Sequence, residues 1–128
     1  MKILSVVVPV YFNCASLPPL FIELQDVERQ LRQRGIAMEL IFVDDGSQDE
    51  SFAELMNIRQ QRPSTVVIRL SRNFGAVHAS KTGLQHASGD CATWIAADLQ
   101  DPPELIVQMA DHWLAGKKFV VCARRTRE

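Results

Sequence analysis

The stretch Cys91–Glu104, Cys-Ala-Thr-Trp-Ile-Ala-Ala-Asp-Leu-Gln-Asp-Pro-Pro-Glu, decides how the rest of the chain is read. Its first half, Cys91 to Ala97, is an apolar run with the length and composition of a buried parallel strand. The run stops at Asp98, and Asp101 follows three residues later. Asp101-Pro102-Pro103-Glu104 has the pattern of a helix start: an acid as N-cap, prolines in the first turn, and a glutamate three residues after the cap. Two carboxylates therefore fall on a short loop between a strand's C-terminal end and a helix's N-terminal end. In an open α/β sheet, ligands bind at such loops. Asp101 is assigned to the cap. Asp98 does no capping, so it is the candidate for holding a hard cation on a diphosphate.

Working outward, the same unit recurs. Ile3–Val10 is β-branched and nearly continuous, which predicts a central strand buried on both faces, ending near Pro9. Ser16 with Pro18 and Pro19 predicts a helix start. Leu20, Leu24, Val27 and Leu31 at helical spacing carry that helix to about Arg34, with Gly35 beyond it. Glu39–Asp45 is a second apolar strand ending in carboxylates. Ser47 with Glu50 reads as a capping box for a helix over about 48–61. Thr65–Leu70 is a third strand, followed by the turn Ser71–Gly75 and a helix over about 76–86. After Cys91–Ala97 comes a helix over about 102–115, and Phe119–Ala123 reads as a fifth strand. The sum is βαβαβαβαβ. It implies one α/β domain over residues 1–128: three layers, α/β/α, with a mostly parallel sheet. An apolar strand at the very end would leave an edge uncovered, so the natural domain is expected to continue past Glu128.

Composition excludes several functions. The chain has 128 residues, is 47% hydrophobic and 23% charged, and carries a net charge of -1. It lacks the basic footprint of a nucleic-acid binder. No apolar run is long enough to span a bilayer, and the N-terminus does not read as a signal peptide. The widely spaced Cys14, Cys91 and Cys122 fit neither a disulfide framework nor a zinc site, so a cytoplasmic setting is expected. There is no G-x-G-x-x-G after the first strand and no P-loop. What recurs is polar residues at strand ends: Asp44 and Asp45, Arg72 and Asn73, and Asp98. Acids there suit hydrogen bonds to a base N–H or ribose hydroxyls, with a cation on the diphosphate. His78, His86 and His112 read as surface or structural residues. Lys81 could reach a phosphate but reads first as a helix-surface lysine.

Four motifs together are specific: Ser5-Val-Val-Val-Pro-Val-Tyr11, Val43-Asp-Asp-Gly-Ser47, Ser71-Arg-Asn-Phe-Gly75 and Asp98-Leu-Gln-Asp-Pro-Pro-Glu104. In this order and spacing the chain resembles the family 2 glycosyltransferases of the GT-A fold. Its closest likeness is to the branch of dolichol-phosphate mannose synthase and the bacterial polyprenyl-phosphate glycosyltransferases. The resemblance implies the Rossmann-like, nucleotide-sugar-binding half of that fold. It implies a UDP- or GDP-sugar donor, Mg²⁺ or Mn²⁺, and inverting transfer to a polyprenyl phosphate or saccharide acceptor. A full-length protein of this kind would lie at the inner face of the membrane. Pro9, Val10 and Tyr11 would line the base pocket. Asp44 would bond the base or ribose, Asp45 would support the turn, Arg72 would lie near the base, and Asp98 would ligate the metal. A general base, if the reaction needs one, would come from beyond Glu128. Two departures stand out: Ala96 replaces the first acid of the family's Asp-x-Asp, and Cys14 stands near another expected acid. The alternatives are a catalytically incompetent nucleotide-binding fragment, one that self-associates through an exposed sheet edge, and a flavodoxin-like receiver. A receiver would carry a phosphorylatable acid after its third strand, where this chain has Arg72 and Asn73.

Overall fold

The computed structural model describes residues 1–118 and Val120. The expected fifth strand, Phe119–Ala123, together with Cys122 and the arginines of the tail, lies outside the described residues. The described elements alternate strictly: β1 (Lys2–Val10), α1 (Leu17–Gln33), β2 (Ile36–Asp44), α2 (Ser51–Gln61), β3 (Val66–Arg69), α3 (Ala76–Gln85), β4 (Cys91–Trp94) and α4 (Leu105–Leu114). The strands form a parallel sheet in the order β3-β2-β1-β4. The three-layer α/β/α architecture is as expected from the alternation of elements.

The two faces of β1 follow the period-2 alternation of a strand. Leu4, Val6, Val8 and Val10 join Leu40 and Phe42 of β2 under α1, α2 and α4. Val7, Ile41 and Val43 face the other way, with Ala79 of α3 packed on them. α3 lies close to the sheet because Gly83 has no side chain; a Cβ there would sit 2.3 Å from Val7 Cγ1. α1 buries Leu17, Leu20, Phe21, Leu24, Val27 and Leu31. Burial of that kind contributes roughly 1.5–3 kcal/mol per large side chain.

β1 ends near Pro9, as expected: Pro9 stays in register opposite Val43, and the strand runs one residue further, to Val10. Val10 C=O accepts from Asp45 N–H on the β2 side, whereas Val7 C=O accepts from Ile95 N–H on the β4 side. By alternation Pro9 also faces β4, where it has no N–H to offer. The ladder with β4 accordingly stops at Val7 opposite Trp94. β4 is thus a four-residue strand at an edge of the described sheet, not the buried seven-residue strand read from Cys91–Ala97. Its alternate residues are exposed, and Trp94 is 59% exposed.

One helix starts where expected but without a cap bond, and two others start differently. Ser16 is at the N-cap position of α1 but makes no side-chain capping bond. The N–H groups an N-cap would bond, at the second and third helical positions, belong here to Pro18 and Pro19 and do not exist. Ser47 and Glu50 form no capping box. α2 begins at Ser51, with Glu50 at the cap position, and Ser47 Oγ instead accepts from Phe12 N–H at 3.0 Å. Asp101 does not occupy the cap of α4, which falls at Glu104. Pro102, Pro103 and Glu104 start the chain turning through i→i+3 bonds, received from Leu105, Ile106 and Val107 N–H. Two successive residues without N–H favour this tight entry over a regular first α-turn.

Candidate nucleotide-binding cleft

The sheet reverses direction beside β1. From β1 the chain moves through α1, on one face, to β2 and β3. It then returns through α3, on the other face, to β4. The carboxyl ends of β1 and β4 therefore diverge at a topological switch point, where open α/β sheets bind ligands. A cleft of about 280 Å³ opens there. It is lined by Pro9, Val10, Tyr11 and Asn13 after β1, Asp45 after β2, Asn73, Gly75 and Ala76 after β3, and Ala96, Ala97 and Asp98 after β4. Five of the residues expected to bind the nucleotide sugar meet in this cleft: Pro9, Val10, Tyr11, Asp45 and Asp98. Asp44 and Arg72 adjoin it without lining it.

Asp44 and Asp45 are neighbours with opposite duties. Asp45, 2% exposed, turns to the β3–α3 loop. Its Oδ1 accepts from Phe74 N–H at 2.8 Å, and its Oδ2 accepts from Gly75 N–H at 3.0 Å and Asn73 Nδ2 at 3.2 Å. It holds one wall of the cleft in place. Between these loops Gly46 has φ +75, and a Cβ on it would fall 2.5 Å from the Arg72 carbonyl carbon. Asp44 is fully buried. Its Oδ1 accepts from Ser47 N–H at 3.1 Å, and its Oδ2 has no hydrogen-bond partner among the described residues. Arg69 Nε stands 4.0 Å from that oxygen, an ion-pair distance too long for a hydrogen bond. A buried carboxylate oxygen with only this distant ion pair is costly to keep.

The loop after β1 is built to expose aromatics. Phe12 has φ +53, an uncommon conformation for a bulky residue. It is held by Ser47, while Tyr11 N–H donates to Asn13 Oδ1 and Asn13 N–H donates to Ser51 Oγ. Tyr11 and Phe12 meet edge to face, with centroids 4.6 Å apart, and each is about half exposed. Arg72 lies over the Phe74 ring at 4.0 Å, and His78 stacks on the same ring. Both rings of that pair are thus engaged, whereas Tyr11 remains on the cleft lining.

At the far wall Asp98 is exposed, and its Oδ1 accepts from Gln100 N–H at 3.2 Å. Leu99, with φ +65, makes the turn. Asp101 does not line this cleft; it borders the neighbouring groove with Trp94 and Lys81. The described residues contain no group of three metal-ligating side chains. Ala96 supplies no donor beside Asp98. Burial and the carboxylates of Asp49, Glu54 and Glu50 push the Cys14 thiol above its ordinary value, so Cys14 contributes no anion there. The donor set fits a Mg²⁺ or Mn²⁺ held by one carboxylate and completed by phosphate oxygens and water.

The sequence profile of Glycosyl transferase family 2 matches residues 5–128. The chain belongs to glycosyl transferase family 2. An uncharacterised glycosyltransferase of Synechocystis is 39% identical over 125 residues, covering 98% of this chain and 38% of the relative. The undecaprenyl-phosphate 4-deoxy-4-formamido-L-arabinose transferase of Pseudomonas aeruginosa is 38% identical over 130 residues, covering 100% and 37%. Among solved structures, the mannosyltransferase of Pyrobaculum calidifontis in complex with GDP-Man and Mn²⁺ superposes with a TM-score of 0.67. It is 24% identical, covering 88% of this chain and 32% of that one. At that identity the likeness is one of fold, and the fold is the expected GT-A type. This family 2 chain spans well under half the length of the relatives it matches.

The sequence motifs mark the acids, Pro9, Val10, Tyr11 and the strand-end Asn73, but not Asn13, Gly75 or Ala76, as residues of the lining. Asn73 and Gly75 were legible as a turn. Asn13 had a signal too, as an amide beside exposed aromatics, but its role depends on Ser51, thirty-eight positions away.

Proposed function

We propose that this chain is the donor-binding part of a glycosyltransferase and takes a UDP- or GDP-sugar in the cleft between β1 and β4. The observation that carries this reading is the convergence of Pro9, Val10, Tyr11, Asp45 and Asp98 on one cleft at the switch point. The nucleoside lies at the β1–β2 end. Tyr11 offers a ring face, and the family resemblance would bring Asp44 to the base or ribose and Arg72 to the base, both from beside the cleft. Asp45 acts by holding the Asn73–Gly75 wall. The diphosphate lies at the β4 end beside Asp98, which would hold a Mg²⁺ or Mn²⁺ ion. That ion, when bound, neutralises charge developing on the leaving group.

In the reaction proposed for the whole protein, an acceptor oxygen attacks the anomeric carbon in line. The bond from that carbon to the diphosphate oxygen breaks, its electron pair stays on the departing nucleoside diphosphate, and configuration inverts. A polyprenyl phosphate is the acceptor class suggested by the Pseudomonas relative's name, and it implies work at the inner face of a membrane. Its oxygen is already ionised, so attack needs little help from a base. A saccharide hydroxyl is the other acceptor class. Among the described residues no helix is long and apolar enough to cross a membrane.

Amide chemical-shift mapping with UDP and GDP tests the donor reading. The expected result is that one of them perturbs Tyr11, Asn13, Asn73 and Asp98 together. Shifts confined to residues outside the cleft, or none with either nucleotide, would overturn it.

A further inference from the structure

The β1–α1 loop and the β4–α4 loop face each other across the cleft, and the sheet does not join them. The last ladder bond is Ile95 N–H to Val7 C=O, after which Pro9 offers no donor. Beyond that point the Ser16 hydroxyl reaches across. It donates to the Ala97 carbonyl at 2.7 Å, with the Asn13 carbonyl as a second acceptor at 3.1 Å. Ala97 immediately precedes Asp98. Asn13 is itself fixed, through Ser51 and the Tyr11 N–H. One hydroxyl therefore connects the wall that carries Tyr11 to the start of the turn that carries Asp98. It is free to do so because Pro18 and Pro19 leave it nothing to cap.

We propose that Ser16 is a positioning residue: through the Ala97 carbonyl it sets where Asp98 stands relative to the nucleoside end of the cleft. The inference rests on the proposed donor reading but concerns a residue outside that ligand set. Groups that orient a metal ligand typically change metal affinity by roughly ten- to a hundred-fold when removed. Ser16 orients Asp98 through the backbone, so the lower end of that range is expected.

Two measurements on Ser16→Ala, with Ser16→Thr as the hydroxyl-restoring variant, test this. The first needs no ligand. Hydrogen exchange at Gln100 N–H, which Asp98 holds, should become roughly five- to ten-fold faster in Ser16→Ala and return towards wild type in Ser16→Thr. Unchanged exchange at Gln100 overturns the inference whatever the donor turns out to be. The second compares UDP and GDP affinity with and without Mn²⁺. The strengthening by Mn²⁺ should fall roughly ten-fold in Ser16→Ala while the cation-free affinity stays within about two-fold. Equal loss with and without Mn²⁺ would make Ser16 mere fold support and overturn the inference. Mn²⁺ strengthening of wild-type size in Ser16→Ala would also overturn it. Wild-type protein that gains nothing from Mn²⁺ would overturn the donor reading and this coupling together.

Discussion

The two walls of the cleft are made differently. The β2–β3 wall is closed by backbone and carboxylate: Asp45 receives three hydrogen bonds from the loop after β3, and Gly46 lets that loop lie against it. The β4 wall is open. Among the described residues Asp98 holds only the amide two residues on, and β4 is a short strand at the edge of the described sheet. One wall is arranged before any ligand arrives, and the other presents a carboxylate with coordination to spare. Such a division suits a site where the nucleoside is read by a fixed surface and the diphosphate brings part of its own binding chemistry.

The comparison breaks first at Gly46. Gly46→Ala places a methyl against the Arg72 backbone at a positive φ, and should destabilise the fold by about 4 kcal/mol in urea denaturation. A loss below about 1 kcal/mol would mean that the loops are not packed as described. Asp45→Asn removes the charge and turns a donor towards N–H groups. It should cost about 2–3 kcal/mol by the same measurement. Asp98→Ala, on the open wall, should leave stability within about 0.5 kcal/mol, as exposed substitutions do. Equal losses at Asp45 and Asp98 would erase the contrast between the walls.

A third acid, Glu39, sits at the opposite end of the sheet. Its Oε1 receives the Ser5 hydroxyl and Ser88 N–H, and its Oε2 receives the Ser88 hydroxyl. Burial pushes its pKa up, but the bonds from Ser88 and Ser5 outweigh burial and hold it below the ordinary 4.5. A depressed carboxylate stabilises the folded state above its unfolded pKa. That contribution disappears as pH falls through the folded value. The stability difference between wild type and Glu39→Gln should therefore be present at pH 7 and shrink below about pH 4.5. A difference that does not change with pH would refute the assignment. A small effect is also expected at Arg72. Its exposed stack on Phe74 contributes about 0.5–1 kcal/mol at most, read from the denaturation midpoint of Arg72→Ala.

Much of the fold was legible because β1 and β2 are nearly unbroken apolar runs and α1 has a regular stripe. The faults lie where a local pattern met a distant partner or a proline. Ser47-x-x-Glu50 has the form of a capping box, but the Ser47 hydroxyl is taken by Phe12, thirty-five positions away. Asp101 has the form of a cap, but two prolines postpone the regular helix to Leu105. Cys91–Ala97 has a buried strand's composition, but Pro9 of the neighbouring strand ends the pairing at Trp94. In the site, the acids announced themselves at strand ends. Their different duties did not, because these depend on which loop each carboxylate faces. The missing bond at Asp44 Oδ2 has no signature in sequence at all.

On the proposed function, the open wall works through Asp98 and a cation brought together with the diphosphate. Calorimetric titration of UDP and GDP into wild type and Asp98→Ala, each with and without Mn²⁺, tests it most directly. One nucleotide should bind wild type, more tightly with Mn²⁺, and Asp98→Ala should lose that gain while keeping the cation-free affinity. Binding of neither nucleotide, or the same Mn²⁺ gain in Asp98→Ala, would contradict the account.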